Sequence, residues 1–307
     1  MSEPRLERSV TIVVLALGTV VALFPIAMIV ASAFVSDNPN ETGIVWSNLA
    51  TAWDEGHFST YMRSSVIVTV CVVVLATALS CLLGYAFGTM RFRGSSVLFY
   101  VLLLGLMVPN EAIVVPLYYQ LRDLGQTNTY QALIFPQVAQ SLAFGTFWMR
   151  AYFRGTSREL VESARLDGAG HFRIFWSVLL PMGRPAIITM VVLFSMWTWN
   201  EFLLPLVMIP SNEDLRTAPL GLTFFSGQYT GSPSLLAAAA LIVALPMLVL
   251  YLVAQRHFIR GMVDGNPIGV YDVYQDAERI ESRVDATRFV VFLVALIASS
   301  LLAGLIV

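Results

Sequence analysis

Apolar runs of about 20 residues recur along the chain between short polar stretches, the length that a helix needs to cross a lipid hydrocarbon core. Runs at 10–34, 65–90, 96–120, 131–149, 185–209 and 234–255 predict six membrane-spanning helices, and an apolar run at 289–307 predicts a seventh. One polar stretch carries a helical signal of its own, "TSRELVESARLDGAGHFRIFWSVLLP" from Thr156 to Pro181. Thr156 with Glu159 three residues on is a capping-box pattern and predicts a helix start. Through "RELVESARLD" the helical period puts Leu160, Val161 and Ala164 on one side, and Glu159, Glu162 and Arg165 largely on another, until Gly168 and Gly170 break it. "HFRIFWSVLLP" then predicts an amphipathic helix that lies at the membrane surface and ends near Pro181, before the next span starts at Pro185.

Of 307 residues, 57% are hydrophobic and 12% charged, too few charges to cover a soluble globule of this size. The fold class that follows is an all-α integral membrane protein. It divides into a first spanning helix and loop at 1–64, a core at 65–265 that holds the polar loop 150–184, and a tail with the seventh span at 266–307. "MSEPRLERSV" leads into a run too long for the apolar region of a signal peptide, so the first span is expected to stay.

Charge placement orients the spans. All 18 basic residues are arginine, and 15 lie in the N-terminus, in "RFRG" at 91–94, in 150–184 and in 256–288; only Arg63, Arg122 and Arg216 lie in the alternate loops. Basic short loops stay in the cytoplasm, which puts the N-terminus and the 150–184 loop inside. The absence of lysine removes the phosphate-binding loop G-x-x-x-x-G-K-[ST], whose lysine contacts the nucleotide. A net charge of -2 offers no basic surface for nucleic acid. Cys71 and Cys81, ten residues apart in one apolar run, cannot meet in a disulfide and read as small core residues.

Polar residues inside spans are costly and mark function or helix contacts. By the rise of a helix, Asn110 and Glu111 sit roughly 22 Å up the third span, Asn200 and Glu201 about 24 Å up the fifth, and Gln137 and Gln140 roughly 10 to 15 Å from the outer end of the fourth. One reading is a polar belt in the outer half, with Tyr118, Tyr119, Trp197 and Trp199 nearby, that lines a path for a hydroxyl-rich solute. The other is that these groups satisfy backbone freed by Pro109, Pro136 and Pro205, or hold helices together.

The polar loop has two readings as well: a helix resting on headgroups, or a tip kept slim by Ser163, Ala164, Gly168, Ala169 and Gly170 so that a partner can hold it. Its spacing adds a third consideration. Glu162-Ser163-Ala164, three residues, Gly168, nine residues, Val178, one residue, Leu180-Pro181 resembles the E-A-A, three, G, nine, I, one, L-P signature of ABC importer permease subunits, with Ser163 and Val178 as conservative departures. "MVPNEAIVVPLYYQLRDLGQTNTY" at 107–130, "SRELVESARLDGAG" at 157–170, "LLPMGRPAI" at 179–187, "WNEFLLPL" at 199–206 and "QRHFIRGM" at 255–262 resemble the maltose-permease-type carbohydrate subfamily. The likeness runs from the first span to Gly265, and the tail with its seventh apolar run departs from it.

The resemblance implies a six-helix permease core with a cytoplasmic coupling helix, to which the apolar run at 289–307 adds an extra C-terminal transmembrane helix outside the likeness. It implies a transport subunit with no ATPase of its own, seated on cytoplasmic nucleotide-binding subunits that hold ATP and Mg. It further implies a second, homologous permease subunit and an extracytoplasmic solute-binding protein. Docking would fall to Glu162, Ser163, Ala164, Asp167, Gly168, Gly170, Leu180 and Pro181, with Glu162 as anchoring acid and Gly168 as the turn between two short helices. The solute would be a sugar or related polyol. Two other classes compete. An ion-coupled secondary transporter would use Glu111 and Glu201 as ion sites, but leaves the spaced motif without a role. An intramembrane enzyme lacks its residues: His57, His171 and His257 all fall outside the spans, and neither H-E-x-x-H nor G-x-S-x-G occurs.

Overall fold

A computed structural model describes residues 5–37, 43–90, 92–226 and 231–264, and these are helical with no strand among them. The seventh apolar run lies outside the described residues. The helices are α1 (Arg5–Ala33), α2 (Ser47–Glu55), α3 (Phe58–Thr89), α4 (Ser95–Leu104), α5 (Asn110–Asp123), α6 (Tyr130–Gly155), α7 (Arg158–Leu166), α8 (His171–Ile174), α9 (Leu180–Met182), α10 (Arg184–Trp199), α11 (Leu203–Met208), α12 (Ala218–Gly221) and α13 (Pro233–Asp264). A π-turn at Phe175–Leu179 joins α8 to α9, so that His171–Met182 forms one helical rod.

Among the described residues, Ile12–Ala33, Phe58–Thr89 and Pro233–Gln255 are long and apolar enough to cross a membrane, and the rod with α10 makes a fourth if that bent pair is one span. Two of the expected spans are broken rather than continuous. The run 96–120 splits into α4 and α5 around 105–109, and the run 185–209 splits into α10 and α11 around 200–202. Proline places both breaks. Pro109 and Pro205 lack the N–H that would reach the carbonyls of Gly105 and Glu201 four residues earlier, and their rings crowd the same carbonyls. Pro116, Pro136 and Pro246 lie within helices that continue past them.

α6 is too polar to pass as an apolar span, and with α3 it forms the most extensive helix pair among the described residues. Small residues allow the approach. Gly84 and Gly88 stand four apart on α3; a Cβ on Gly84 would overlap Met149 and lie 2.9 Å from the Arg150 backbone nitrogen, and one on Gly88 would lie 3.0 Å from Phe153 Cβ. Gly145 of α6 meets Ser80 and Phe194 in the same seam. The main core gathers Val68, Val72, Met149, Phe153, Phe175 and Phe194 from α3, α6, the rod and α10. At the end of α3 remote from the rod, a second cluster joins Ala33, Ala52, Phe58, Tyr61, Phe225 and Ala239. There the buried Asn48 donates to the carbonyls of Ala33 and Val35, tying α2 to the end of α1.

Candidate functional site

The polar loop folds as two short helical pieces with a tight turn between them. α7 ends in a Schellman turn: Ala169 N–H donates to the Ala164 carbonyl at 3.0 Å and Gly168 N–H to the Arg165 carbonyl at 3.0 Å. Gly168 holds the left-handed position, φ 79°, which a residue with Cβ enters at a cost. The two small residues that close the motif, Ala164 and Ala169, pack against the main core together with Val161. α7 thus lies on the spans by one face and leaves the other free.

The capping box expected at Thr156 is not formed. α6 runs to Gly155, and the Thr156 hydroxyl turns back to donate to the Tyr152 carbonyl at 3.2 Å, so α7 starts after Ser157 with no side-chain cap. The hydroxyl had two backbone partners in reach, and the carbonyl at the end of the longer helix takes it.

On the free face of α7, Glu162, Ser163 and Asp167 are exposed, and beside them Gly168 and Gly170 would carry a Cβ into open space. Leu166 is 89% exposed and Phe172 76%, and Arg165 is exposed between the two acids, so the tip is apolar as well as charged. Sequence reasoning passed over both. Leu166 stands four residues after Glu162, on the charged face rather than the core face, and that placement was the available signal. The structure brings Glu162, Ser163, Asp167, Gly168 and Gly170 together at one tip. Leu180 and Pro181 sit at the opposite end of the rod, where Leu180 packs inward on the core and Pro181 is exposed.

Four of the six polar residues expected within the spans, Asn110, Glu111, Asn200 and Glu201, fall at the helix breaks, and Gln137 and Gln140 lie inside the continuous α6. Asn110 and Glu111 open α5 and are exposed. Asn200 caps the end of α10, its amide donating to the Met196 carbonyl at 2.8 Å. The Glu201 carboxylate accepts the Leu204 N–H at 3.0 Å and so caps α11. Gln137, buried, donates to the Leu133 carbonyl at 2.9 Å within its own helix, and Gln140 is half-buried. α11 packs against both α5 and α6, which draws the two breaks into one region of the bundle.

The aromatic residues of the expected belt divide. Trp199 is 3% exposed and its indole N–H donates to the Val243 carbonyl at 3.0 Å, which makes it a tie between α10 and α13 and not a wall of a solute path. Trp197 is exposed beside Phe144, ring centroids 5.0 Å apart, and Tyr119 is exposed beneath the Arg122 guanidinium. Among the described residues no three His, Cys, Asp or Glu side chains gather where they could hold a metal ion.

Comparison with known proteins bears on both regions. A family model described as a binding-protein-dependent transport system inner membrane component matches residues 76–263, which include the tip and both helix breaks. The probable ABC transporter permease protein YurM of Bacillus subtilis is 36% identical over 255 residues, 80% of this chain and 84% of that protein. The diacetylchitobiose uptake system permease protein NgcG of Streptomyces coelicolor is 30% identical over 273 residues, 86% of this chain and 90% of its own length. The trehalose/maltose transport system permease protein MalG of Thermococcus litoralis is 28% identical over 276 residues, 86% of this chain and 98% of that one. A crystal structure of a bacterial ABC transporter involved in import of the acidic polysaccharide alginate shares the fold at TM-score 0.70 and 22% identity, over 83% of this chain and 97% of the matched one.

Proposed function

The chain belongs to the inner-membrane component family of binding-protein-dependent ABC transport systems, and from that premise we propose that it is one permease subunit of an importer for an oligosaccharide or related polyol. The observation that carries the reading is the tip at Glu162–Gly170, an exposed, slim projection with charged and apolar side chains, packed against the spans by its other face. A large exposed apolar side chain beside open glycines suits a pocket on another protein. In this reading cytoplasmic nucleotide-binding subunits hold ATP and Mg and grip the tip. Glu162 takes a charge-assisted hydrogen bond, Leu166 and Phe172 fill apolar pockets, and closure of the ATPase pair swings the spans between inward-open and outward-open states. The N-terminus and the tip then share the cytoplasmic side, in keeping with the arginine count.

The helix breaks supply the other half. Irregular backbone and an ionisable side chain at membrane depth do not face lipid, so the surface that carries 105–109, Asn110 and Glu111 faces a second permease subunit or the aqueous path between the two. Asn200 and Glu201 are engaged in capping and shape the path by setting the α10–α11 break, while Gln140 and Tyr119 are free to meet a hydroxylated solute delivered by an extracytoplasmic binding protein. The ion-coupled alternative at Glu111 and Glu201 finds no support in the family, and Glu201 has a capping role without it.

The test is affinity purification of the tagged chain from native membranes, with uptake of labelled trehalose, maltose, diacetylchitobiose and an arabino-oligosaccharide in cells that carry or lack it. An ATPase subunit and a second permease should copurify, and uptake of at least one sugar should depend on the chain. Solute movement by the purified chain alone, down an ion gradient, would overturn the reading.

A further inference from the structure

The rod His171–Met182 meets α10 at a bend of 75° centred on Gly183. A glycine followed closely by Pro185, at the junction between a docking element and a span, is where a stroke applied to the rod would be lost if the joint flexed. Three aromatic side chains hold the rod and the joint instead. The Tyr85 hydroxyl, from the rod end of α3, donates to the His171 carbonyl at 3.3 Å and lies 3.2 Å from His171 Nδ1. The Tyr152 hydroxyl of α6 donates to the Leu179 carbonyl at 3.3 Å, the same carbonyl that receives the Gly183 N–H at 2.9 Å. One helical turn earlier on α6, the Trp148 indole N–H donates to the Ala186 carbonyl at 3.0 Å, on the far side of the bend. Trp148 and Tyr152 thus grip the backbone on both sides of Gly183 from one face of α6.

The surroundings leave little slack. Ile174, Phe175 and Leu179 are the buried face of the rod, at 1%, 3% and 0% exposure, and Phe175 lies against Tyr85 with ring centroids 5.0 Å apart. Gly183 is buried, and a Cβ there would come within 2.9 Å of Tyr152 Cε1. α3 and α6 are in turn joined through the glycine seam, so the grip of Tyr85 and the grip of Trp148 and Tyr152 refer to one rigid pair.

We propose that Tyr85, Trp148 and Tyr152 are positioning residues of the transport stroke: they lock the rod and the Gly183 elbow to the α3–α6 pair, so that displacement of the tip moves the spans and is not absorbed by bending. The inference rests on the tip's docking to an ATPase subunit. Each of these hydrogen bonds shifts the balance between locked and flexed elbow by about fivefold, since one net hydrogen bond carries that factor. Loss of two compounds the effect where they act independently.

The test uses the complete complex in lipid nanodiscs, with Cys71 and Cys81 replaced by alanine and a reporter thiol at Leu206→Cys on α11. ATP with vanadate is the probe. In the parent complex ATP–vanadate should change the rate at which a membrane-impermeant maleimide labels the reporter. In Trp148→Phe/Tyr152→Phe, which keeps both aromatic faces and removes only the donors, the ATPase subunit should still copurify and hydrolyse ATP. The vanadate-dependent change in labelling should be largely lost. Spin labels at Ser177 on the rod and Gln131 on α6 should show one narrow distance in both nucleotide states of the parent and a broadened one in the variant. Gly183→Ala, which displaces the Tyr152 ring without deleting its hydroxyl, gives the same readouts should the double variant fail to assemble. A full labelling response in either assembled variant refutes the lock while leaving docking intact. A parent complex without an ATPase subunit removes the docking premise and the lock with it.

Discussion

Replacement of Gly168 separates two reasons why that position is glycine. At φ 79° a Cβ costs about 1–2 kcal/mol of backbone strain, and in the free chain that is the whole effect, because nothing lies within 4 Å of where the Cβ would be. Gly168→Ala therefore weakens the Schellman turn by a factor of about 5 to 30 without a clash inside the chain. Gly168→Asn carries a larger side chain, yet asparagine enters the left-handed region several-fold more readily than other non-glycine residues, so its strain is smaller. If strain alone matters, Asn should do better than Ala. If the open space is where a partner sits, Asn should do worse, since bulk and not backbone geometry decides.

The assay is the amount of ATPase subunit retained on the tagged chain, with the thermal stability of the detergent-purified chain as control. The expected order of retention is Gly, then Ala, then Asn, whereas thermal stability, which reads only the strain, should fall more in Gly168→Ala than in Gly168→Asn. Retention by the Gly168→Asn variant equal to that of the parent would refute the claim that the tip is gripped closely at this point.

Leu166→Asp should leave the chain's own stability within about 0.5 kcal/mol, as its side chain touches almost nothing in the chain, and should abolish copurification of the ATPase subunit. Glu201→Ala removes the cap on α11 and should cost about 1 kcal/mol, measured as a lower melting temperature, whereas Glu201→Gln keeps an acceptor for the Leu204 N–H and should lie close to the parent; equal loss in both would argue for a role of the charge itself. Gly84→Ala should destabilise by about 1–3 kcal/mol, because its methyl overlaps Met149 across the α3–α6 seam. Gly18→Ala, with nothing within 4 Å, should gain roughly 0.5–1 kcal/mol of helix propensity in α1.

The helical spans and the tight turn at Gly168 were legible because each rests on a one-dimensional signal: an apolar run of fixed length, or a glycine at a fixed offset from a helix that cannot continue. The breaks at 105–109 and 200–202 were half legible. Pro109 and Pro205 were seen as sources of freed carbonyls, but whether a proline kinks a helix or ends it depends on what its neighbours provide. At Pro136 the helix continues, with α6 packed along its length against α3. At Pro205 the Glu201 carboxylate offers a new N-terminal cap, and the chain restarts as α11.

Thr156 failed for a related reason: a hydroxyl with two backbone partners within reach chooses by the geometry of the helix before it, which spacing does not encode. The locking donors were invisible to any pattern. Tyr85 and Trp148 lie in apolar runs and count there as apolar area, Tyr152 stands just past the end of one, and only the fold shows that the polar atom of each reaches a carbonyl on the rod or at the elbow. Aromatic residues with a single polar atom suit such a role inside a membrane, because the ring packs like any other core group while the one donor has few competing acceptors. The same logic separates Trp199 from Trp197. The two are neighbours on α10's last turn, yet one indole is buried on the Val243 carbonyl of α13 and the other is left exposed beside Phe144, and two residues of helical rotation make the difference.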